Sequence, residues 1–565
     1  MKDKKGFTLV ELLAVIAILA ILVIIALPNV INMYTKAKKQ AFITEAQNVI
    51  KSASNKFIEG SMQGKNIITI SSDDDTLNLT NKNVKYYIEL DNTGKVKNYT
   101  ISNSNYCLSS SKSYEKLTSD DVVNEDCGEF VTYEFYVSSE GNDENTGTNK
   151  NVPLASIEKA YQLIGKNNGI IYLLSDIKLQ NMKFDNGKRI QIVGVGETRT
   201  ITNERSREVS EDEGYRPGAS INIYNKTKVE IKNVILDANK IRGISINEST
   251  LTMNDSEVKN GYSYQASSVC ISGYNSNITL NNTNIHDCSS AAYSAISQSG
   301  GNLILNNSNI YNNTGSINWG GAIGITRGAK AFVEGGNIKN NTHTSSAGAI
   351  YVDETSELAV NNVQFDSNTA SGGSSSGGAI YSKGDLTVKN STFQNNRAGM
   401  GGAIEFLKEF SIQNSKFYNN SSNHGGGAIY GGSDSKNDVN IENCYFEGNT
   451  TTVNGGAIII LARKTYIKKS DFIGNKGEWG GAIDVSEGSI IDECNIKNNS
   501  ATSGGGAIRA GNIIIKNSTI TGNKSSNKWS SISGSNVTFE NTTIDGTCTN
   551  PSTTWLEVNC TTLIK

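Results

Sequence analysis

From Leu280 to Ile544 the chain repeats one short pattern: an apolar residue, a small residue three positions on, and a second apolar residue two positions later. The small position is Thr283, Ser308, Gly336, Val363, Ser391, Ser415, Cys444, Ser470, Cys494, Ser518 and Thr542, a period of about 26 residues. The leading column reads Leu280, Leu305, Val333, Val360, Val388, Ile412, Ile441, Ile467, Ile491, Ile515 and Phe539. The trailing one reads Ile285, Ile310, Ile338, Phe365, Phe393, Phe417, Phe446, Phe472, Ile496, Ile520 and Ile544. No polar residue enters either column, so each predicts short strands that stack like on like, about 4.8 Å apart. A second signature, Gly-Gly-Ala-Ile, recurs at 320–323, 377–380, 401–404, 426–429, 455–458, 480–483 and 505–508, with Ala347-Gly348-Ala349-Ile350 as a variant. One apolar column per turn, on strands separated by Gly and Asn, predicts a right-handed single-stranded parallel β-helix.

Polar columns support the same register. Asn313, Asn341, Asn368, Asn396, Asn420, Asn449, Asn475, Asn499 and Asn523 predict an amide ladder along the stack. Glu442, Lys468, Asp492, Lys516 and Glu540 alternate in sign, as neighbouring strands require. From 136 to 547 the period allows about 16 rungs and about 75 Å of rod.

Upstream the period changes. Phe7 to Leu27 is an unbroken apolar run but for Thr8 and Glu11, long enough to span a membrane with Lys2, Lys4 and Lys5 on its cytoplasmic side. Glu11 is costly there and asks for a function. Phe42, Ala46, Val49, Ile50, Ala53 and Phe57 continue one helical face, and Gly60 and Gly64 stop it. Val84–Leu90 and Lys95–Ser102 read as strands about a turn at Asp91-Asn92-Thr93-Gly94. Ser156 and Gly165 are the N-cap and stop of a short helix placed to cover the open end of the β stack.

Lys4-Lys5-Gly6-Phe7-Thr8-Leu9-Val10-Glu11-Leu12-Leu13 resembles the class III leader of type IV prepilins. The resemblance implies cleavage after Gly6 by a prepilin peptidase and N-methylation of Phe7. It also implies that Glu11 pairs with the terminal amine of a neighbouring pilin during assembly, and that Pro28 is the family's helix-kinking proline. A secretory signal peptide would need a better cleavage site than Ala26-Leu27-Pro28-Asn29, and a plain membrane anchor has no use for Glu11. The pilin arrangement of a sheet on the second half of the helix, with a disulfide near its end, implies a Cys107–Cys127 bridge; two free thiols are the alternative. The Gly-Gly-Ala-Ile and Phe-x-x-Asn repeats over roughly 280–545 resemble those of polymorphic outer-membrane proteins, a family of β-helical surface adhesins.

The fold class is therefore an α+β pilin N-terminal domain followed by an all-β parallel β-helix. Its segments are a leader (1–6), a pilin helix (7–60, with 7–27 the membrane and filament-core part), a small sheet (61–130), a β-helix cap (131–170), the β-helix (171–547) and a C-terminal cap (548–565).

Net charge is −3 over 565 residues, which gives no electrostatic case for nucleic acid. Eight cysteines outside the cytoplasm make disulfides available. Cys548 and Cys560 bracket the C-terminal end and are placed to tie its cap. Cys270–Cys288 is open but unsupported, and Cys444 and Cys494, two rungs apart, are expected free and buried. No active site emerges. Glu405 and Asp484 share a column but lie three rungs apart, about 14 Å, beyond the reach of a hydrolytic carboxylate pair. Asp353 and Lys383 are expected to form a surface ion pair. His286, His343 and His424 occupy unrelated positions, so no metal or other cofactor is expected. Tyr351, Tyr381 and Tyr430, flanking Glu405, are the candidate ligand-contact surface, with ordinary cross-strand stacking as the alternative.

The resulting expectation is a minor type IV pilin, at or near the pilus tip, whose β-helical head is an adhesin for a glycan or protein receptor. The alternatives are a pilus-tethered polysaccharide lyase or hydrolase, and an assembly or initiation subunit whose head is a spacer. Its expected path runs from the cytoplasmic membrane to the extracellular pilus, its partners being the prepilin peptidase and other pilins.

Overall fold

The computed structural model describes residues 9–62, 69–72, 77, 79, 84–91, 93–110, 113–123, 132–204, 219–263, 269–290, 294–316, 320–432, 438–526, 531–534, 536–545, 547–549 and 557–559; for residues 9–32 it describes the backbone alone. The chain forms two compact units, Met1–Thr132 and Tyr133–Lys565.

In the first unit a single helix, α1, runs Leu9–Met62 and continues through Pro28. Among the described residues no helix is long and apolar enough to cross a membrane; the side chains of the apolar run lie outside them. Strands β1 (Thr69–Ser71), β2 (Lys85–Leu90), β3 (Val96–Ser102) and β4 (Cys107–Ser110) form an antiparallel sheet in that order. The helical face from Phe42 to Phe57 is buried against Ile70, Tyr86, Ile88, Tyr99, Ile101 and Leu108. The turn between β2 and β3 is closed by Asp91, whose Oδ1 accepts from the backbone N–H groups of Thr93 and Lys95 at 2.8 and 3.0 Å. Gly94 has φ +81°, and a side chain there would strike the Phe57 ring. Cys107 is disulfide-bonded; Cys127 lies outside the described residues.

The second unit opens with helix α2 (Ile157–Ile164), capped by the Ser156 hydroxyl on Lys159 N–H and ended by Gly165 at φ +59°. Its buried residues Ile157, Ala160 and Ile164 join the interior of the β stack. A parallel β-helix follows, and both apolar columns stand in the predicted register. Leu280 pairs with Leu305, then Val333, Val360, Val388 and Ile412 on successive rungs. Phe365 pairs with Phe393, Phe417, Phe446 and Phe472. One turn is well represented by Ile380–Ser382, Asp385–Lys389, Thr392–Gln394 and Arg397–Ala398. The face carrying the trailing column is a sheet of 15 strands running from Ile177–Leu179 to Thr543–Ile544. That is one rung fewer than the period suggests, because residues 136–170 are largely spent on the cap.

The corners explain the composition. The residue before each small position is left-handed, as at Asn390 (φ 50°) and Asn414 (φ 51°), and so is the one before each ladder asparagine, as at Asn395 (φ 57°) and Asn419 (φ 50°). Asn tolerates this conformation better than other residues with a side chain. In Gly-Gly-Ala-Ile the first glycine is left-handed too, φ +57° at Gly401, and a Cβ there would strike the Ile404 carbonyl. A Cβ on the second, Gly402, would strike the carbonyl of Gly427 on the next rung. The alanine and isoleucine that follow are fully buried.

Inside, Phe365, Phe393, Phe417, Phe446 and Phe472 stack with centroids 4.6, 4.8, 4.8 and 4.7 Å apart. The asparagine ladder is buried and saturated. Asn420, for example, accepts from Asn396 N and Nδ2 at 3.0 Å each. It donates from Nδ2 to Asn449 Oδ1 at 2.9 Å and to Phe393 O at 3.0 Å. Cys444 and Cys494 are free and buried, each thiol pushed up to about 12 by desolvation. Cys270 and Cys288 form a disulfide with Cα atoms 6.2 Å apart. Cys288 stands at the ladder position one rung before Asn313, and its N–H donates to Asn313 Oδ1, so the bridge begins where the amide ladder ends.

Candidate functional site

The processing residues Gly6 and Phe7 lie outside the described residues, and Glu11 and Pro28 are described only as helical backbone. The geometry of a site is therefore that of the column following Gly-Gly-Ala-Ile. Tyr351 pairs with Tyr381, Tyr381 with Glu405, Glu405 with Tyr430, Tyr430 with Ile459 and Ile459 with Asp484.

This column is not an open platform. Tyr351 is 5% exposed and Glu405 3%, while Tyr381 and Tyr430 are half-buried. The chain before each glycine pair doubles back over it. Ser376 hydrogen-bonds both Glu405 and Tyr381, and Gly425 sits against Tyr430 and Ile459. Tyr351 and Tyr381 meet edge-on, centroids 5.8 Å apart at 64°. Lys383 lies over both rings, 6.0 and 5.8 Å from the centroids. It does not pair with Asp353 as expected. Asp353 instead closes its own turn, accepting from Thr355 N and the Thr355 and Ser356 hydroxyls, and from Arg327 N on the preceding rung.

Burial lifts the Glu405 carboxyl to about 7, with Ser376 and Lys383 offsetting only part of the effect, and its Oε2 is buried without a hydrogen-bond partner. Desolvation also lifts Tyr351 to about 12 and raises Tyr381 and Tyr430. Asp484 is lifted to about 6 although Arg509 Nη1 stands 3.1 Å away. Two raised carboxyls suggest acid–base chemistry, but three rungs separate them, about 14 Å. The column by itself supplies no carboxylate pair for glycoside cleavage.

A pH prediction follows. Glu405 ionises at a higher pH folded than unfolded, so its burial is harmless below about pH 4.5. Stability falls as pH rises through 7, by about 3 kcal/mol in all. Glu405→Gln is expected to match the parent at pH 4 and to exceed it progressively up to pH 8. Urea unfolding across that range checks this; an offset independent of pH would contradict it.

The three histidines stand apart. His343 faces inward, its Nδ1 accepting from Ser345 and Ser346 N–H, and burial lowers it to about 4. His286 lies on the outer face of the 15-stranded sheet and stacks on Tyr311, while His424 Nε2 donates to Gly373 O at 2.8 Å. Among the described residues no three His, Cys, Asp or Glu side chains are grouped to hold a metal ion. The column one residue after the trailing one, whose carboxylates Asp366 and Glu447 are too far apart along the rod to act as a pair, also brings His286, Tyr311 and Lys339 together on successive rungs. Trp479 is exposed, with Arg509 over its ring. Trp319 lies outside the described residues.

Comparison with known proteins fits this division. Residues 1–27 match the prokaryotic N-terminal methylation motif, residues 269–440 the right handed beta helix region, and residues 443–459 the Chlamydia polymorphic membrane protein repeat. The protein is thus a prepilin-type leader fused to a right-handed parallel β-helix. No curated protein matches it. Among solved structures it is similar to a GH136 lacto-N-biosidase from Eubacterium ramulus, at 12% identity and TM-score 0.38 over 60% of this chain and 67% of that one. It is also similar to a rhamnogalacturonan lyase, at 11% identity and TM-score 0.28 over 60% and 87%, and to a PL6 alginate lyase, at 10% and 0.26 over 73% and 86%.

Proposed function

We propose that the protein is a minor type IV pilin, carried at or near the filament tip, whose β-helical head is a surface adhesin. The observation that carries this reading is the joining, in one chain, of the methylation motif at 1–27 to a long β-helix. The leader would take the chain through the cytoplasmic membrane and a prepilin peptidase into a filament beside other pilins. The head would then stand outside the cell. A rod of 15 rungs, about 70 Å at the strand spacing, would crowd a shaft that carried it on every subunit, which favours a rare, terminal place. The separation of Glu405 from Asp484 weighs against a polysaccharide-degrading role.

Cells lacking the protein are expected to assemble filaments but to lose surface adhesion, and immuno-electron microscopy is expected to label filament ends. Labelling all along the shaft would contradict the placement. Release of reducing or unsaturated sugars from acidic polysaccharides by the full-length protein would contradict the adhesin.

A further inference from the structure

The outer face of the 15-stranded sheet carries a cleft of about 530 Å³ lined by asparagines, Tyr311 and Lys339. Its floor is a row of amides on three successive rungs. Asn309 Nδ2 donates to Asn284 Oδ1 at 2.9 Å, and Asn337 donates to Asn309 Oδ1 from both Nδ2 and backbone N, at 2.9 and 3.1 Å. All the bonds run one way. Among the described residues, one N–H of Asn309 and of Asn337, both N–H groups of Asn284 and the oxygen of Asn337 are left uncommitted. Asn312 and Asn340, at left-handed corners (φ 55° and 54°), add two exposed amides on one side.

The wall of the cleft is Tyr311, and it is propped. His286 stacks beneath it with centroids 4.6 Å apart and planes 7° from parallel. The imidazole is held at Nδ1, 2.7 Å from Asp287 Oδ2, while its Nε2 lies 3.1 Å from Glu257 Oε1 without a hydrogen bond. On the other side of the ring is Lys339, Nζ 5.9 Å from the centroid, exposed and without an ion pair among the described residues. The Tyr311 hydroxyl makes no hydrogen bond among the described residues. With His286 on one face and Lys339 over the other, the ring offers its edge and its hydroxyl to a sugar; rows of amides suit vicinal hydroxyls, and the Lys339 ammonium suits a carboxylate. No carboxylate is among the residues lining the cleft; Asp366, the register partner of Lys339 on the next rung, lies beside it. Because the platform is already held in place, little ordering cost falls on binding.

We propose that this cleft, floored by Asn284, Asn309 and Asn337 and walled by Tyr311 and Lys339, binds a carboxylate-bearing sugar residue of a surface glycan. The assignment rests on the reading of the head as an adhesin and names its ligand class. It moves recognition away from the Tyr351–Tyr430 column, where Tyr351 and Glu405 are buried, to the outer face of the 15-stranded sheet.

The test uses full-length protein in detergent on a panel of uronic, sialic and neutral oligosaccharides, with circular dichroism confirming that the variants are folded. Acidic members are expected to bind at least tenfold tighter than neutral ones. Tyr311→Leu is expected to lose at least tenfold for every binder, and Lys339→Met to lose only the preference for acid. A panel on which no acidic sugar binds, or on which neither variant changes binding, overturns the proposal. Adhesion of intact cells, measured in parallel, separates the two readings. If deleting the protein abolishes adhesion while the panel stays blank, the cleft is wrong and the adhesin stands. If the deletion leaves adhesion intact, the adhesin reading fails first.

Discussion

Asn420→Ala is expected to destabilise the β-helix by about 4 kcal/mol, more than the loss of one surface amide would. The side chain accepts from the backbone N–H and the amide of Asn396 and donates to Phe393 O and Asn449 Oδ1, all in buried surroundings. Truncation leaves two buried donors with no acceptor, each costing about 1–3 kcal/mol, and thins the coordination of two oxygens. The damage should also propagate, because each ladder amide orients the next. A double change, Asn396→Ala with Asn420→Ala, is therefore expected to cost less than the sum of the two single changes. Equilibrium denaturation of the three variants measures both quantities. A loss below 1 kcal/mol would mean that water replaces the ladder at little cost.

Phe417→Ala is the second large effect, expected at about 3–5 kcal/mol. Phe417 is fully buried and stacked on both sides, by Phe393 at 4.8 Å and 3° and by Phe446 at 4.8 Å and 8°. The fixed rung spacing prevents its neighbours from closing the gap, so the cavity term should be near its maximum. Phe417→Ile, by contrast, repeats the side chain already used at Ile285, Ile310, Ile338, Ile496, Ile520 and Ile544 and is expected to cost less than half as much. Equal losses for the two variants would show that shape matching within the phenylalanine run, not filled volume, sets the stability.

These two columns are also what the chain displays most openly in its sequence. Each rung presents the same residue class at the same position, so a stack of about a dozen rungs states its register many times over, and Leu280 to Phe539 and Ile285 to Ile544 pair as the repeat implies. The helical face from Phe42 to Phe57 was legible for the same reason. What the repeat does not encode is the path of the chain between strands. The left-handed glycine at 377, 401 or 426 turns the preceding segment back over the Tyr351–Glu405 column, which is how Ser376, from outside the column, reaches Glu405. Asp353 looked available to Lys383 because rung alignment reports adjacency across rungs, while the Asx turn that claims Asp353 is local. Cys270 and Cys288 occupy different corners of one turn, so no column pairs them. The cluster of His286, Tyr311 and Lys339 was available in the register, but its residues differ in type and form no repeating signature.

The most direct measurement is mass spectrometry of the protein recovered from filaments sheared off the cell surface. The account predicts a chain that begins at an N-methylated Phe7 and still carries its β-helix. Recovery of a chain beginning at Met1, or of no such chain in the filament fraction, would contradict it.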